Sequence, residues 1–231
     1  MKIFSGIKLP QVIYETSSKY NETIKVLKAG EVLKLSVNNF VQSLSKNSKS
    51  ANRLCWGQAV KILKEQSEGV DVANILILGL GGCTMQHKIR DQFPNAHLVS
   101  VEIDPVMVDI AKKYFELDSI DNHNIIVNDA LRVVVEPEEH GLEQQSFDIV
   151  VVDTVLGDEF PDLVKSGNFL ASVKKLIVPG GLILFNRIYL DDYQESVNTF
   201  VEYVRNFFEN VQTHVVAGYT NSDNILIYGR A

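Results

Sequence analysis

Apolar and polar positions alternate through residues 23–27 and again through 32–37, with Lys28, Ala29, Gly30 and Glu31 between the two runs. Period-two alternation around a short Gly-containing connection predicts an antiparallel hairpin. A third short strand is expected at 41–44, then a polar loop at 45–50 and a helix over 51–65. Three short strands cannot bury enough surface to stand alone, so this piece must lean on the rest of the chain.

Near residue 70 the rhythm changes to strand, helix, strand, helix. Ile75, Leu76, Ile77 and Leu78 form an unbroken apolar run, the mark of a parallel strand covered on both faces. Further strands are expected at 98–101, 124–127, 147–152 and 182–185, the last entered through a turn at Val178, Pro179, Gly180 and Gly181. Helices are expected at 105–115, where Pro105 suits a first helical position, and at 191–208, with Phe200, Val204, Phe207 and Phe208 turned into the core. Segments 211–217 and 225–228, joined across 219–223, close the chain as an antiparallel pair. The expectation is an α/β fold with a doubly wound, mostly parallel seven-stranded sheet: a small β region over 1–50 and the main domain over 51–231.

Composition narrows the class. At 231 residues, 45% hydrophobic and 22% charged, the chain can build one large core and is too apolar to be disordered. No window offers the roughly 18 uninterrupted apolar residues of a membrane helix, and the first residues lack the apolar stretch of a secretory signal. Two cysteines, Cys55 and Cys83, make no disulfide framework, which fits a reducing cytoplasm. The net charge of -7 argues against nucleic acid as a partner and for cationic ligands. The five histidines, at 87, 97, 123, 140 and 214, show no metal-ligand spacing, so no metal is expected. Trp56 is read as packing its helix onto the sheet, and Cys83 as a residue of the ligand pocket wall.

The chemistry lies at the strand ends. Gly79, Gly81 and Gly82 occupy the turn after the first parallel strand, where glycine allows close approach of a ligand to free N–H groups at a helix start. Glu102 ends the second strand, where a carboxylate can accept both hydroxyls of a ribose. Asp104, just before Pro105, is better placed to cap the next helix. Asp129 ends the third strand, suited to an adenine amine or to capping, and Asp153 ends the fourth. A dinucleotide site would want a third glycine where Thr84 stands.

This ordered set of glycine turn, three strand-end acids and Pro-Gly-Gly turn resembles the class I S-adenosylmethionine-dependent transferases. The N-terminal segments around Ser18, Lys19, Tyr20 and Asn21, 24–26, 33–35 and 41–43, together with 101–104 and 147–154, further resemble the polyamine aminopropyltransferases, the spermidine and spermine synthases. That resemblance implies transfer of an aminopropyl group from decarboxylated S-adenosylmethionine to an amine or polyamine, by a homodimer. By the same resemblance Gln42 contacts the donor beside Gly79, Gly81 and Gly82, Glu102 with Ile103 holds its ribose, and Asp129 with Ala130 its adenine. Asp153 then accepts the proton of the attacking amine, while Asp158 and Glu159 draw in the cationic acceptor.

The chain departs from the family where the donor's amine and the acceptor are held. Gly82 and Cys83 replace the aspartate and glycine of the family's Gly-Gly-Gly-Asp-Gly loop, and Leu156 replaces the second acid of its Asp-Ser-Ser-Asp-Pro loop. Its Tyr-His-Glu signature is absent, the region reading Arg53, Leu54, Cys55, Trp56, Gly57. Two alternatives therefore stand beside aminopropyl transfer: a methyltransferase using ordinary S-adenosylmethionine on a small acceptor, and a catalytically silent nucleoside-binding homologue.

Overall fold

A computed structural model describes residues 10–154, 167–189, 194–218 and 223–231. The chain opens with strands β1 (Gln11–Thr16), β2 (Ile24–Ala29), β3 (Val32–Val37) and β4 (Phe40–Leu44), which pair antiparallel in that order as a small sheet. The expected hairpin is β2–β3, with Ala29 opposite Val32 and Gly30 at φ +64°. The sheet has four strands rather than three. Strand β1 was hidden because it buries little: Val12 and Ile13 are exposed, Tyr14 is only half-buried, and the register slips between Val12 and Tyr14. A strand whose inward side is only partly covered leaves little period-two trace.

The larger sheet follows: β5 (Asn74–Leu78), β6 (His97–Glu102), β7 (His123–Val127), β8 (Phe147–Val152), β9 (Ile177–Ile188), β10 (Glu209–Val216) and β11 (Asn224–Arg230), in the spatial order β10-β11-β9-β8-β5-β6-β7. Strands β5 to β9 pair parallel, and β11 joins β9 and β10 antiparallel. Helices α1 (Cys55–Gln66), α2 (Thr84–Gln92), α3 (Pro105–Tyr114), α4 (Ala130–Val135), α5 (Gly167–Leu176) and α6 (Gln194–Val204) complete the doubly wound, class I methyltransferase-like fold. Among the described residues no helix is long and apolar enough to cross a membrane.

Two apolar layers sandwich the large sheet. Ile75 and Ile77 belong to the layer beneath α1, α2 and α3; Leu76 and Leu78 belong to the opposite layer, with α4, α5 and α6. All four side chains are fully buried, each contributing roughly 1.5–3 kcal/mol of transfer free energy. Trp56 packs in the first layer, and Phe200, Val204 and Phe208 in the second, as expected.

Three boundaries differ from expectation. The first helix is broken into a 3-10 turn, Lys49–Asn52, and α1, and only a glycine at 57 allows the two to pack, since a β-carbon there would lie 2.4 Å from the Asn52 carbonyl oxygen. The Pro-Gly-Gly segment is not a turn before β9 but a bulge within it: the pairing with β8 jumps from Ile177 to Leu182, and Gly180 turns to φ +77°. The last helix ends at Val204 rather than 208, while 191–193 lie outside the described residues. Residues 219–222 of the final connection lie outside the described residues.

Candidate active site

Strand order reverses between β5 and β8, and the crevice above the carboxyl ends of adjacent strands at such a point is where open α/β sheets take ligands. The glycine turn, Glu102 and Asp153 meet there. Gly79 has φ +106°, and a β-carbon on it would lie 2.3 Å from the Asp153 carbonyl oxygen. Glycine is required at this position, both by the backbone angle and by the pinch between the two strand ends.

Glu102 is already engaged by the loop it faces. Its Oε2 accepts from the backbone N–H of Leu80 (3.1 Å) and Gly81 (3.3 Å), and Oε1 from that of Asp104 (3.0 Å). Burial pushes its carboxyl above the ordinary carboxylate range, and these three amides pull it back towards ionisation. A carboxylate has about four lone-pair sites, so one is left to accept from a ligand hydroxyl.

Asp104 caps α3 as expected, its Oδ1 accepting from Val106 N–H at 3.0 Å. Its other oxygen accepts from Ser18 and from Asn21 Nδ2 (2.8 Å), which ties the N-terminal segment to the crevice. A second tie runs through β4. Ser43 Oγ accepts from Gly82 N–H (2.8 Å) and donates to the Gln42 carbonyl (2.6 Å), while Thr84 Oγ1 accepts from Leu44 N–H and donates to Leu44 O. Gln42 is thereby held beside the glycine turn. Sequence reasoning missed Ser43, Thr84, Ser18 and Asn21 as site supports; their only signal was small hydroxyl or amide side chains next to motif residues.

Gly82 is sealed rather than open. A β-carbon there would sit 2.8 Å from Ser43 Cβ and 3.2 Å from the Phe115 ring. Cys83 adopts φ +51°, and its buried thiol turns to the Phe115 carbonyl oxygen at 3.2 Å. It is therefore a packing residue behind the turn and does not form pocket wall. Asp129 caps α4, its Oδ1 accepting from Leu131 N–H at 2.8 Å, with Ala130 opening that helix. Ile103 is half-buried between Glu102 and Asp104.

Asp153 follows β8 half-buried, and desolvation of its carboxyl raises its pKa. Its Oδ1 accepts from Asn186 Nδ2 at 2.7 Å, which lowers the pKa in part. Asp158 and Glu159 lie outside the described residues. Among the described residues no group of three His, Cys, Asp or Glu side chains could hold a metal ion.

A parallel sheet that brings a glycine turn and a ribose-type acid to its switch point is the architecture of class I methyltransferase-like proteins. Residues 70–226 match the family model described as Methyltransferase domain, and the chain belongs to that family. Its similar proteins include both polyamine aminopropyltransferases and protein methyltransferases. The polyamine aminopropyltransferase of Vibrio vulnificus is 33% identical over 112 residues, 48% of this chain and 36% of that protein. The eEF1A lysine and N-terminal methyltransferase homolog of Drosophila melanogaster is 30% identical over 122 residues, 52% of this chain and 18% of that protein. The matched segment thus spans well under half of either relative. A spermidine synthase solved in complex with the transition state analogue AdoDATO superposes with a TM-score of 0.74 over 95% of this chain and 73% of its own, at 12% identity, a likeness of fold.

Proposed function

We propose that the chain is a spermidine-synthase-like transferase, moving an aminopropyl group from decarboxylated S-adenosylmethionine to an amine acceptor. The observation that carries this reading is a half-buried strand-end carboxylate, Asp153, whose backbone carbonyl abuts the glycine turn at Gly79 and whose side chain has one oxygen held and the other without a described hydrogen-bond partner. In this reading Gly79 and Gly81, at φ +106° and +54°, form the turn beneath the donor, Glu102 takes its ribose, and Gln42, Asp129 and Ala130 contact the nucleoside.

The donor's sulfonium supplies an activated carbon and a neutral thioether leaving group. The chain's own part is to orient the acceptor and take a proton. The amine nitrogen bonds the donor carbon as the carbon–sulfur bond breaks, and its surplus proton passes to Asp153 and then to water. A carboxyl whose pKa is raised by burial is a better base for that step than an exposed aspartate. Asp158 and Glu159 attract the cationic acceptor in this reading. The two buried free thiols suit a reducing cytoplasm, and exposed Val12, Ile13 and Val41 on the small sheet suit coverage by a second copy in a homodimer.

One observation favours the methyltransferase reading. The space beside Gly82 is filled by Ser43 and Phe115, so nothing acidic can stand there to hold a donor's amine. Titration calorimetry with both donors decides: tighter binding of the decarboxylated donor supports aminopropyl transfer, and tighter binding of S-adenosylmethionine overturns it. Binding of either donor with no turnover over a panel of diamines assigns the silent homologue.

A further inference from the structure

Strand β9 carries the buried apolar run Leu182, Ile183, Leu184, Phe185 and then Asn186, only 4% exposed. A primary amide in such a run is costly unless both its ends are bonded. Both are. Asn186 Nδ2 donates to Asp153 Oδ1 at 2.7 Å, and Asn186 Oδ1 accepts from Asn224 Nδ2 at 3.0 Å. The chain of bonds crosses three neighbouring strands, β8, β9 and β11.

Chemistry fixes its direction. An ionised carboxylate only accepts, so Asn186 must turn its nitrogen to Asp153; its oxygen is then left for a donor, which Asn224 provides. The Cys55 thiol at the start of α1 lies against Asn186 and faces the Asp153 charge, and burial keeps that thiol protonated. Arg187, next along β9, points to the opposite face and lies over the Phe200 ring at 4.7 Å. Among the described residues, Cys55 is the titratable group facing Asp153, and none hydrogen-bonds its Oδ2.

We propose that Asn186, braced by Asn224, is a positioning residue that grips Asp153 by Oδ1 and so presents Oδ2 to the acceptor amine. The use made of Oδ2 rests on the function proposed above; the grip itself does not. In the transfer step the amine's proton goes to Oδ2 while Oδ1 stays bonded to Asn186. The same bond favours the ionised carboxyl, so the base is ready at a lower pH than burial alone would allow.

The test is Asn186→Leu in the full chain, with carbon-13-labelled aspartate followed by NMR titration alongside the pH–rate profile. The expected result is an Asp153 titration moved to higher pH, the acidic limb of kcat moved with it, kcat lowered on the order of tenfold, and donor affinity unchanged. An Asp153 titration that does not move overturns the grip. Asn224→Ala, which leaves the Asp153 contact in place but unbraced, should shift it in the same direction by less, and decides the matter if Asn186→Leu does not fold. The NMR reading needs no turnover. If it shifts while Asp153→Asn leaves turnover normal, the grip stands and the proton-accepting role falls.

Discussion

Two half-buried carboxylates stand on either side of β5 and are held in opposite ways. Glu102, at the end of β6, is fastened by three backbone amides from its own loop and the glycine turn. Asp153, at the end of β8, is fastened by one side-chain amide and leaves an oxygen over. Burial raises the pKa of both. Backbone donors are fixed by the fold and favour a permanent anion, which suits an acid that must hold a ligand hydroxyl and never change charge. A single side-chain donor restrains orientation while leaving protonation open, which suits an acid that must take a proton and give it up.

Asp153→Asn gives the sharpest test of that contrast. It should cut the transfer rate on the order of a hundredfold or more while donor affinity by calorimetry stays nearly intact; a normal rate would make Asp153 structural. Glu102→Ala should do the reverse to binding, weakening the donor by about 1.5–3 kcal/mol, and unchanged affinity would remove Glu102 from the site. Gly79→Ala strikes both halves at once. With φ +106° and a 2.3 Å clash on the Asp153 carbonyl, it should lower stability in chemical denaturation by about 1–3 kcal/mol or more.

The smallest effect is a pH dependence. Because burial raises Asp153 above its unfolded pKa, its contribution to stability is fully present below the ordinary carboxylate range and is lost as pH rises through the raised value. Asp153→Asn should therefore melt like the parent at low pH and above it at neutral pH, the gap opening through that window. A gap that closes as pH rises would contradict the sign of the shift.

Most of the framework was legible because burial writes itself into sequence. Ile75 to Leu78 and Ile149 to Val152 read as covered parallel strands, and Asp104 before Pro105 read as a cap, which it is. Strand β1 was illegible because it buries little, and the 178–181 bulge because proline and glycine signal a turn and a bulge alike. At the site, Glu102 stood out as a charge ending an apolar strand. Asn186 offered the same signal at the end of 182–185 and went unread, since an amide carries no charge to demand a partner. Ser43, Thr84 and Asn224 act through pairings between segments about 40 residues apart, which local pattern does not contain.

The fate of an amine acceptor is the most direct test of aminopropyl transfer. Incubating the protein with decarboxylated S-adenosylmethionine and a diamine, and reading the acceptor by mass spectrometry, should give an aminopropyl adduct that is lost with Asp153→Asn. No adduct from a protein that binds the donor, or methylated amine formed from S-adenosylmethionine instead, would contradict it.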